Sequence, residues 1–330
     1  MKNSREILSE LAKLEQVGVK LPTAVGGEEG QGTEVRISKQ RSRKLDLIEL
    51  IRTKRDKGQQ EIGYSSRPFI LCGLPLRRPA NGGLEHIRRN GKFFLRVTGD
   101  PRFGLPFGQD RLIPIWVATL AIRQKNRVIR FSSGAEILRT FGLPAGGKEY
   151  ARLVQGFKRI FSATIFFGTE EQLQAEAVWD WARFHFFDRL RVWYTRDIDQ
   201  ATLPGEDFQN IVVLSESFWN EIQAHPIPLD LDVVKSLKDS PGCLDFYLWL
   251  AWRCWTSKRN ERIPFFDATG LIHQLGTPEY TRERRFRQRV AQWLNTVRTF
   301  WPKCPAALSE DGRFLILTPT KSPALSTARQ

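Results

Sequence analysis

Asn126–Gly142, NRVIRFSSGAEILRTFG, and Asn260–Gly276, NERIPFFDATGLIHQLG, lie 134 residues apart and stay in register over seventeen positions without a gap. Identity is low, but the pattern repeats. Asn126 pairs with Asn260, Ile129 with Ile263, Phe131 with Phe265, Ile137 with Leu271, Leu138 with Ile272, Phe141 with Leu275 and Gly142 with Gly276, and just beyond them Pro144 pairs with Pro278. Each copy reads as a short strand followed by a short helix. The helix ends at Gly and Pro, because Gly accepts a left-handed C-cap and Pro cannot continue a helix.

Working outward, each copy is preceded by an apolar, aromatic helix. Arg111–Lys125 carries Ile115, Trp116, Thr119, Leu120 and Ile122, and Cys243–Thr256 carries Phe246, Leu248, Trp249, Ala251, Trp252 and Trp255. Each copy is followed by a basic helix. Lys148–Phe161 places Leu153, Phe157, Ile160 and Phe161 on a core face, and Glu279–Phe300 places Phe286, Val290, Trp293, Leu294 and Val297 there. Residues rich in β-formers come next: Thr164–Phe167 with Trp179–Trp193, and Leu308–Thr318 with Asp311 and Gly312 as its turn. Helix, strand, helix, turn, basic helix and hairpin is the order of a winged helix, whose last helix enters the DNA major groove. The expected fold is therefore α+β, two tandem winged-helix domains related by weak internal duplication, with a basic N-terminal extension.

The boundaries follow composition. Residues 1–35 read as an amphipathic helix, with Ile7, Leu8, Leu11 and Leu14 on one face, and a Gly-rich linker at 26–32. Residues 36–99 form a basic region with nine Lys/Arg in 36–57 and seven in 67–96, against five acidic residues, so most of the excess charge precedes the first repeat. Leu45, Leu47, Ile48, Leu50 and Ile51 give it a helical face, and Phe93, Leu95 and Val97 alternate as a strand. Such a region is either an arm reaching along phosphates or a solvated helix face. The first winged-helix domain spans 100–196, with acidic residues Glu170, Glu171, Glu176 and Asp180 around its wing, an arrangement that repels phosphate. A linker with Pro204 and Gly205 covers 197–210. The second domain, 211–319, opens with a strand at Ile211–Leu214, a helix capped by Ser215 and a turn at His225–Pro228, and 320–330 is a loose tail.

With 330 residues, 41% hydrophobic content, ten Trp and 22 Phe, the chain can bury about two ordinary cores. Its net charge of +15 attracts polyanions, and nucleic acid is the leading partner. A membrane-spanning role is excluded by apolar stretches far shorter than the roughly 20 residues a span needs. The N-terminus lacks the apolar core of a signal peptide. Cys72, Cys243, Cys254 and Cys304 are scattered, which argues against zinc or a disulfide framework and fits a reducing cytoplasm.

The candidate DNA-binding residues lie on the two basic helices. In the first, Lys148, Arg152, Gln155, Lys158 and Arg159 are left outward by the core stripe. In the second, Arg282, Arg284, Arg285, Arg287, Gln288 and Arg289 crowd the helix start, and at an offset of 133 Arg285 and Gln288 correspond to Arg152 and Gln155. Arg and Gln present paired donors and acceptors that match G and A edges in the major groove, and further arginines neutralise phosphates. The alternative is a solvated face with Glu279 and Glu283 salt-bridged along it. No catalytic chemistry is expected. There is no Walker loop, His86, His185, His225 and His273 are isolated, and no metal or other cofactor is implied.

Three stretches carry a family resemblance: Gly104–Phe131 (GLPFGQDRLIPIWVATLAIRQKNRVIRF), Gly142–Ile165 (GLPAGGKEYARLVQGFKRIFSATI) and the later FW and Arg-rich segments. The chain resembles the RepA-type theta plasmid replication initiators, related in architecture to other tandem winged-helix Rep proteins, over roughly 68–319. The resemblance implies binding of double-stranded DNA at repeated sequences (iterons) in a plasmid origin, melting of an adjacent AT-rich segment, and recruitment of the host initiator and replicative helicase. It also implies a homodimer in equilibrium with a monomer. A second class of reading is a winged-helix transcriptional repressor that never opens DNA. A third is an enzyme of nucleic-acid metabolism with an unrecognised metal site, which nicking activity in magnesium would reveal.

Overall fold

A computed structural model describes residues 39–172, 177–191, 210–267, 270–276, 282–321 and 324. The N-terminal helix and Gly-rich linker, the tip of the first wing, the 197–209 linker and most of the C-terminal tail lie outside them.

In chain order the elements are α1 (Lys39–Asp56), β1 (Ile62–Ser65), α2 (Arg67–Leu71), β2 (Glu85–Asn90) and β3 (Phe93–Thr98). The first repeat unit follows: α3 (Leu112–Gln124), β4 (Val128–Phe131), α4 (Gly134–Thr140), α5 (Gly147–Ser162), β5 (Thr164–Gln172), β6 (Ala177–His185) and β7 (Phe187–Arg191). Next come β8 (Asn210–Leu214), α6 (Glu216–Ala224), β9 (Ile227–Asp230) and α7 (Leu231–Leu237). The second unit comprises α8 (Pro241–Thr256), β10 (Glu261–Pro264), α9 (Leu271–Leu275), α10 (Glu283–Phe300), β11 (Ala306–Leu308) and β12 (Phe314–Leu317). The α+β class is as expected, with small antiparallel sheets among the helices.

Local chemistry sets these elements as the repeat pattern requires. β4 occupies Val128–Phe131, with Asn126 Oδ1 accepting from the Val128 amide at 2.8 Å. Ser215 Oγ caps α6 by accepting from the Phe218 amide at 3.2 Å. Gly142, at φ +59°, supplies the backbone conformation that lets the chain leave α4. The core stripe of α10 is the one read from spacing: Phe286, Val290, Trp293, Leu294 and Val297 are all buried.

Strand pairing is where the two units part. In the second, β10 pairs with β12 and β12 with β11, so the strand before the helices closes onto the terminal hairpin. In the first, the hairpin β5–β6 pairs through β5 with β3, giving the order β2-β3-β5-β6. The strand β4 instead pairs with β8, which also holds β7. The expected wing strand Trp179–Trp193 thus breaks at Phe186 into two strands in two sheets. The strand at 210–214, expected to open the second unit, completes a sheet of the first.

The basic N-terminal region is built into the fold. β1 pairs with β9, and Ile48 and Ile51 of α1 join the hydrophobic core. Two of the cations of α1 are turned to carboxylates. Arg55 donates to Asp230 at 3.0 Å and to the Phe300 carbonyl at 2.6 Å, and Lys54 donates to Asp232 at 2.8 Å. Burial raises the Asp230 carboxyl above the usual carboxylate range, with Arg55 pulling the other way. These groups act inside the protein and not as a free arm on phosphates. The residues just past Pro319 are also tied down: the Thr320 amide donates to the Cys254 carbonyl at 2.9 Å, and Ala324 is buried.

One hydrophobic cluster runs through both units. A buried ion pair reinforces the join. Arg111, at the start of α3, reaches Asp245 of α8 with two bonds of 2.7 and 2.8 Å, and the Leu74 carbonyl at 2.7 Å. Arg111 and Asp245 are themselves 134 residues apart, so equivalent positions of the repeat meet.

Candidate nucleic-acid interface

The helices α5 and α10 are both amphipathic, and the structure treats their outward residues differently. On α10, Arg282 at the N-cap, Arg284, Arg285, Gln288 and Arg289 are exposed, while the opposite face is buried. Among the described residues no carboxylate pairs with Arg282, Arg284, Arg285 or Arg289; the Arg289 guanidinium meets only Gln292 Oε1 at 3.3 Å. Arg287 is different. It lies over the Phe266 ring at 4.9 Å and within 3.7 Å of Glu283, so it is held against its own fold.

Arg282, Arg284 and Arg285 sit at the N-cap and in the first turn of α10, at the positive end of the helix dipole, where each cation costs about 0.3–1 kcal/mol at an exposed site. Glu283 is the acidic residue in that first turn. The arrangement is unfavourable for the helix alone and is relieved by an anion placed at its N-terminal end.

On α5, Lys148, Arg152 and Gln155 are exposed, but Arg152 pairs with Glu149 one turn back. Lys158 is half-buried, with its ammonium 5.9 Å from the Phe103 ring centre. Arg159 corrects the sequence expectation. Its side chain is 13% exposed and turned inward, donating to both oxygens of Asp110 at 2.6 and 2.9 Å and lying over Phe107 at 4.7 Å. The core face of α5 is also rotated from the expected one. Gly156 is buried, and Phe161 is 38% exposed. The absence of a Cβ at Gly156 lets the helix lie against Asp110; a Cβ there would stand 2.7 Å from Asp110 Oδ1 and 3.0 Å from Ile113 Cδ1.

The two hairpins differ as well. In the second unit the turn is fixed by Asp311, which accepts from Ser309 Oγ at 2.5 Å and the Arg313 amide at 3.0 Å, with Gly312 at φ +65°. The Ser309 hydroxyl bond, with the Arg313 amide, holds the Asp311 carboxyl below its usual range. Beside it Arg262 covers the Phe314 ring at 4.6 Å. In the first unit, one of the acidic residues expected to repel phosphate, Glu170, is paired with Arg89 of β2, and Asp180 is exposed. The pair Arg89–Glu170 was not legible in the sequence, because it depends on the β2-β3-β5 pairing.

Burial also sets the titration of three thiols and one imidazole. Burial pushes the thiols of Cys72 and Cys254 up to about 12 and that of Cys304 to about 11. Burial drives the His86 imidazole down to about 3, aided by the nearby Arg88. Among the described residues no His, Cys, Asp and Glu are gathered as a metal site, and no helix is long and apolar enough to cross a membrane.

The class defined by this geometry is an α+β protein with an amphipathic helix in each of two similarly ordered units, the second of them, α10, carrying a strongly basic outer face. Residues 153–266, from within α5 to just past β10, match the family described as "Plasmid encoded RepA protein". No curated protein matches the chain. Among solved structures, the chain is similar to a crystal structure of domain 2 and domain 3 of RctB, at 13% identity and a TM-score of 0.48, over 75% of this chain and 95% of that one. A second crystal structure of RctB domains 2-3 matches at 13% identity and a TM-score of 0.43, over 76% and 97% of the two chains.

Proposed function

We propose that the protein is a plasmid replication initiator that binds repeated sequences in double-stranded origin DNA through two winged-helix-like units, with α10 as the principal major-groove helix. The observation that carries this reading is the arginine cluster at the N-terminal end of α10, which no carboxylate among the described residues pairs apart from Glu283 with Arg287, and where the helix dipole makes an anionic partner favourable. Arg285 and Gln288 are assigned to base edges, and Arg282, Arg284 and Arg289 to phosphates. The strand order β10-β12-β11, with a hairpin following α10, supports a winged-helix-like second unit. In the first unit, α5 with Lys148, Arg152 and Gln155 has the equivalent role, while its hairpin is committed to the β2-β3-β5-β6 sheet.

The match to the RepA family supports initiation over simple repression. On this reading, binding promotes melting of adjacent DNA and brings in host replication proteins, the protein works in the cytoplasm without enzymatic activity or a cofactor, and a dimer exchanges with the active monomer. The test is a footprint of the purified protein on the origin of the replicon that encodes it, with permanganate to detect unpaired thymines. Protected direct repeats with reactive thymines alongside are expected. A protected promoter with unreactive thymines, in the presence of host initiator, would make the protein a repressor instead.

A further inference from the structure

We propose that a cleft beside α5 seats a phosphate of the DNA backbone, with Arg78 as the contact at its lip; the inference rests on the duplex-binding reading above. The cleft, about 320 Å³, is lined by Arg78, Arg102, Phe103, Phe107, Gln155 and Arg159. Its charge is built in layers. Arg159 is fixed by both oxygens of Asp110 and lies on Phe107, and Arg102 is held by Asp100 at 3.1 and 3.2 Å while covering Phe103 at 5.2 Å. Lys158 approaches the same Phe103 ring from α5. Four cations therefore surround two phenylalanine rings with two carboxylates between them, and the local balance is positive.

Arg78 differs from the other three. It is exposed, and no described carboxylate pairs with it. A guanidinium on the rim of a positive cleft suits an incoming phosphate oxygen, to which it can donate two bonds. Two glycines leave open space on the lip. Gly82 and Gly104 take positive φ (+67° and +79°), and a Cβ built on either would meet nothing within 4 Å, so a backbone-sized group can approach. Finally, Gln155 places the cleft on the outward side of α5. A duplex whose groove receives α5 would carry its flanking strand across the opening.

The experiment measures affinity of the full chain for origin-repeat and random duplexes over a series of salt concentrations, for the wild type, Arg78→Ala and Arg78→Lys. Because Arg78 is exposed and has no described acidic partner, the substitution leaves the fold intact. Arg78→Ala is expected to lower the slope of log affinity against log salt by about one unit on both duplexes, a loss of about eightfold at 0.1 M salt, which is the value of one released counterion. Arg78→Lys should keep the slope. An unchanged slope in Arg78→Ala, while a substituted α10 loses binding, would overturn the cleft and leave the duplex reading standing. Failure of the wild type to bind any duplex would remove both. Saturation of the cleft by adenosine monophosphate, with duplex affinity indifferent to Arg78, would make it a small-ligand site and also overturn the proposal.

Discussion

The two repeat units have the same helices and opposite strand loyalties. In the second, β10 returns to β12 and the unit closes on itself. In the first, β4 leaves to pair with β8, and the hairpin β5–β6 is taken up by β3. Helix geometry depends on residues three and four apart, so one pattern gives one set of helices in both places. Strand pairing depends on which edges are available. The first unit has β2-β3 upstream and β8 downstream to compete for its edges, and the second has neither.

The same contrast runs through the basic helices. Arg289 of α10 faces solvent, whereas its equivalent on α5, Gly156, lies against Asp110. On α10, Arg282, Arg284, Arg285 and Arg289 have no carboxylate partner among the described residues, whereas part of the charge of α5 is consumed in holding the first unit together through Arg159 and Asp110.

The join between the units should be the most costly place to intervene. Replacing Arg111 by Ala strands the buried Asp245 carboxyl, and a loss of about 3–5 kcal/mol is expected in urea unfolding, since breaking one partner of a buried pair leaves an uncompensated charge. If Arg111→Ala unfolds at the wild-type midpoint, equivalent positions of the repeat do not lock the units.

His86 on β2 gives the next effect. Its folded value of about 3 lies below the ordinary histidine value near 6.5, so the fold favours the neutral ring. Its stabilisation is fully present above pH 6.5 and is lost as the pH falls toward about 3, with a slope reaching about 1.4 kcal/mol per pH unit. Wild type should therefore lose stability relative to His86→Leu as the pH falls through that window, whatever their difference at neutral pH. Parallel curves would show that His86 is not held neutral where β2 packs on α9.

A smaller effect sharpens the contrast between the helices. Gly156→Ala gains about 1 kcal/mol in helix propensity but overpacks an Asp110 that is pinned from two sides, at about 1–3 kcal/mol. A net loss of about 1 kcal/mol is expected, whereas Arg289→Ala in the equivalent place should change stability by less than about 0.5 kcal/mol. Equal stabilities for the two variants would remove the asymmetry.

Much of this was legible from residue pattern. β4 spans the residues read for it, the Ser215 cap is in place, and the α10 stripe from Phe286 to Val297 is buried as spaced. On α5 the signal was present and outweighed: a glycine within an amphipathic helix marks a close approach, but the bulk of Phe161 drew the core face toward itself. The inward turn of Arg159 had no local signal, because its partner Asp110 is 49 residues away and the two meet only when α5 packs on the turn before α3. The burial of Arg55 and the pairing of Lys54 were hidden in the same way. A run of cations reads as a solvated or DNA-facing arm until Asp230 and Asp232 are folded beside it.

The measurement that bears most directly on the assignment of α10 is the affinity of wild type and Arg285→Ala/Gln288→Ala for origin repeats and for random duplex, at several salt concentrations. Loss of repeat affinity by at least about tenfold is predicted, with random-duplex binding much less affected, so that preference for the repeat relaxes. Undiminished preference for the repeat at every salt concentration would contradict the assignment of α10 as the reading helix.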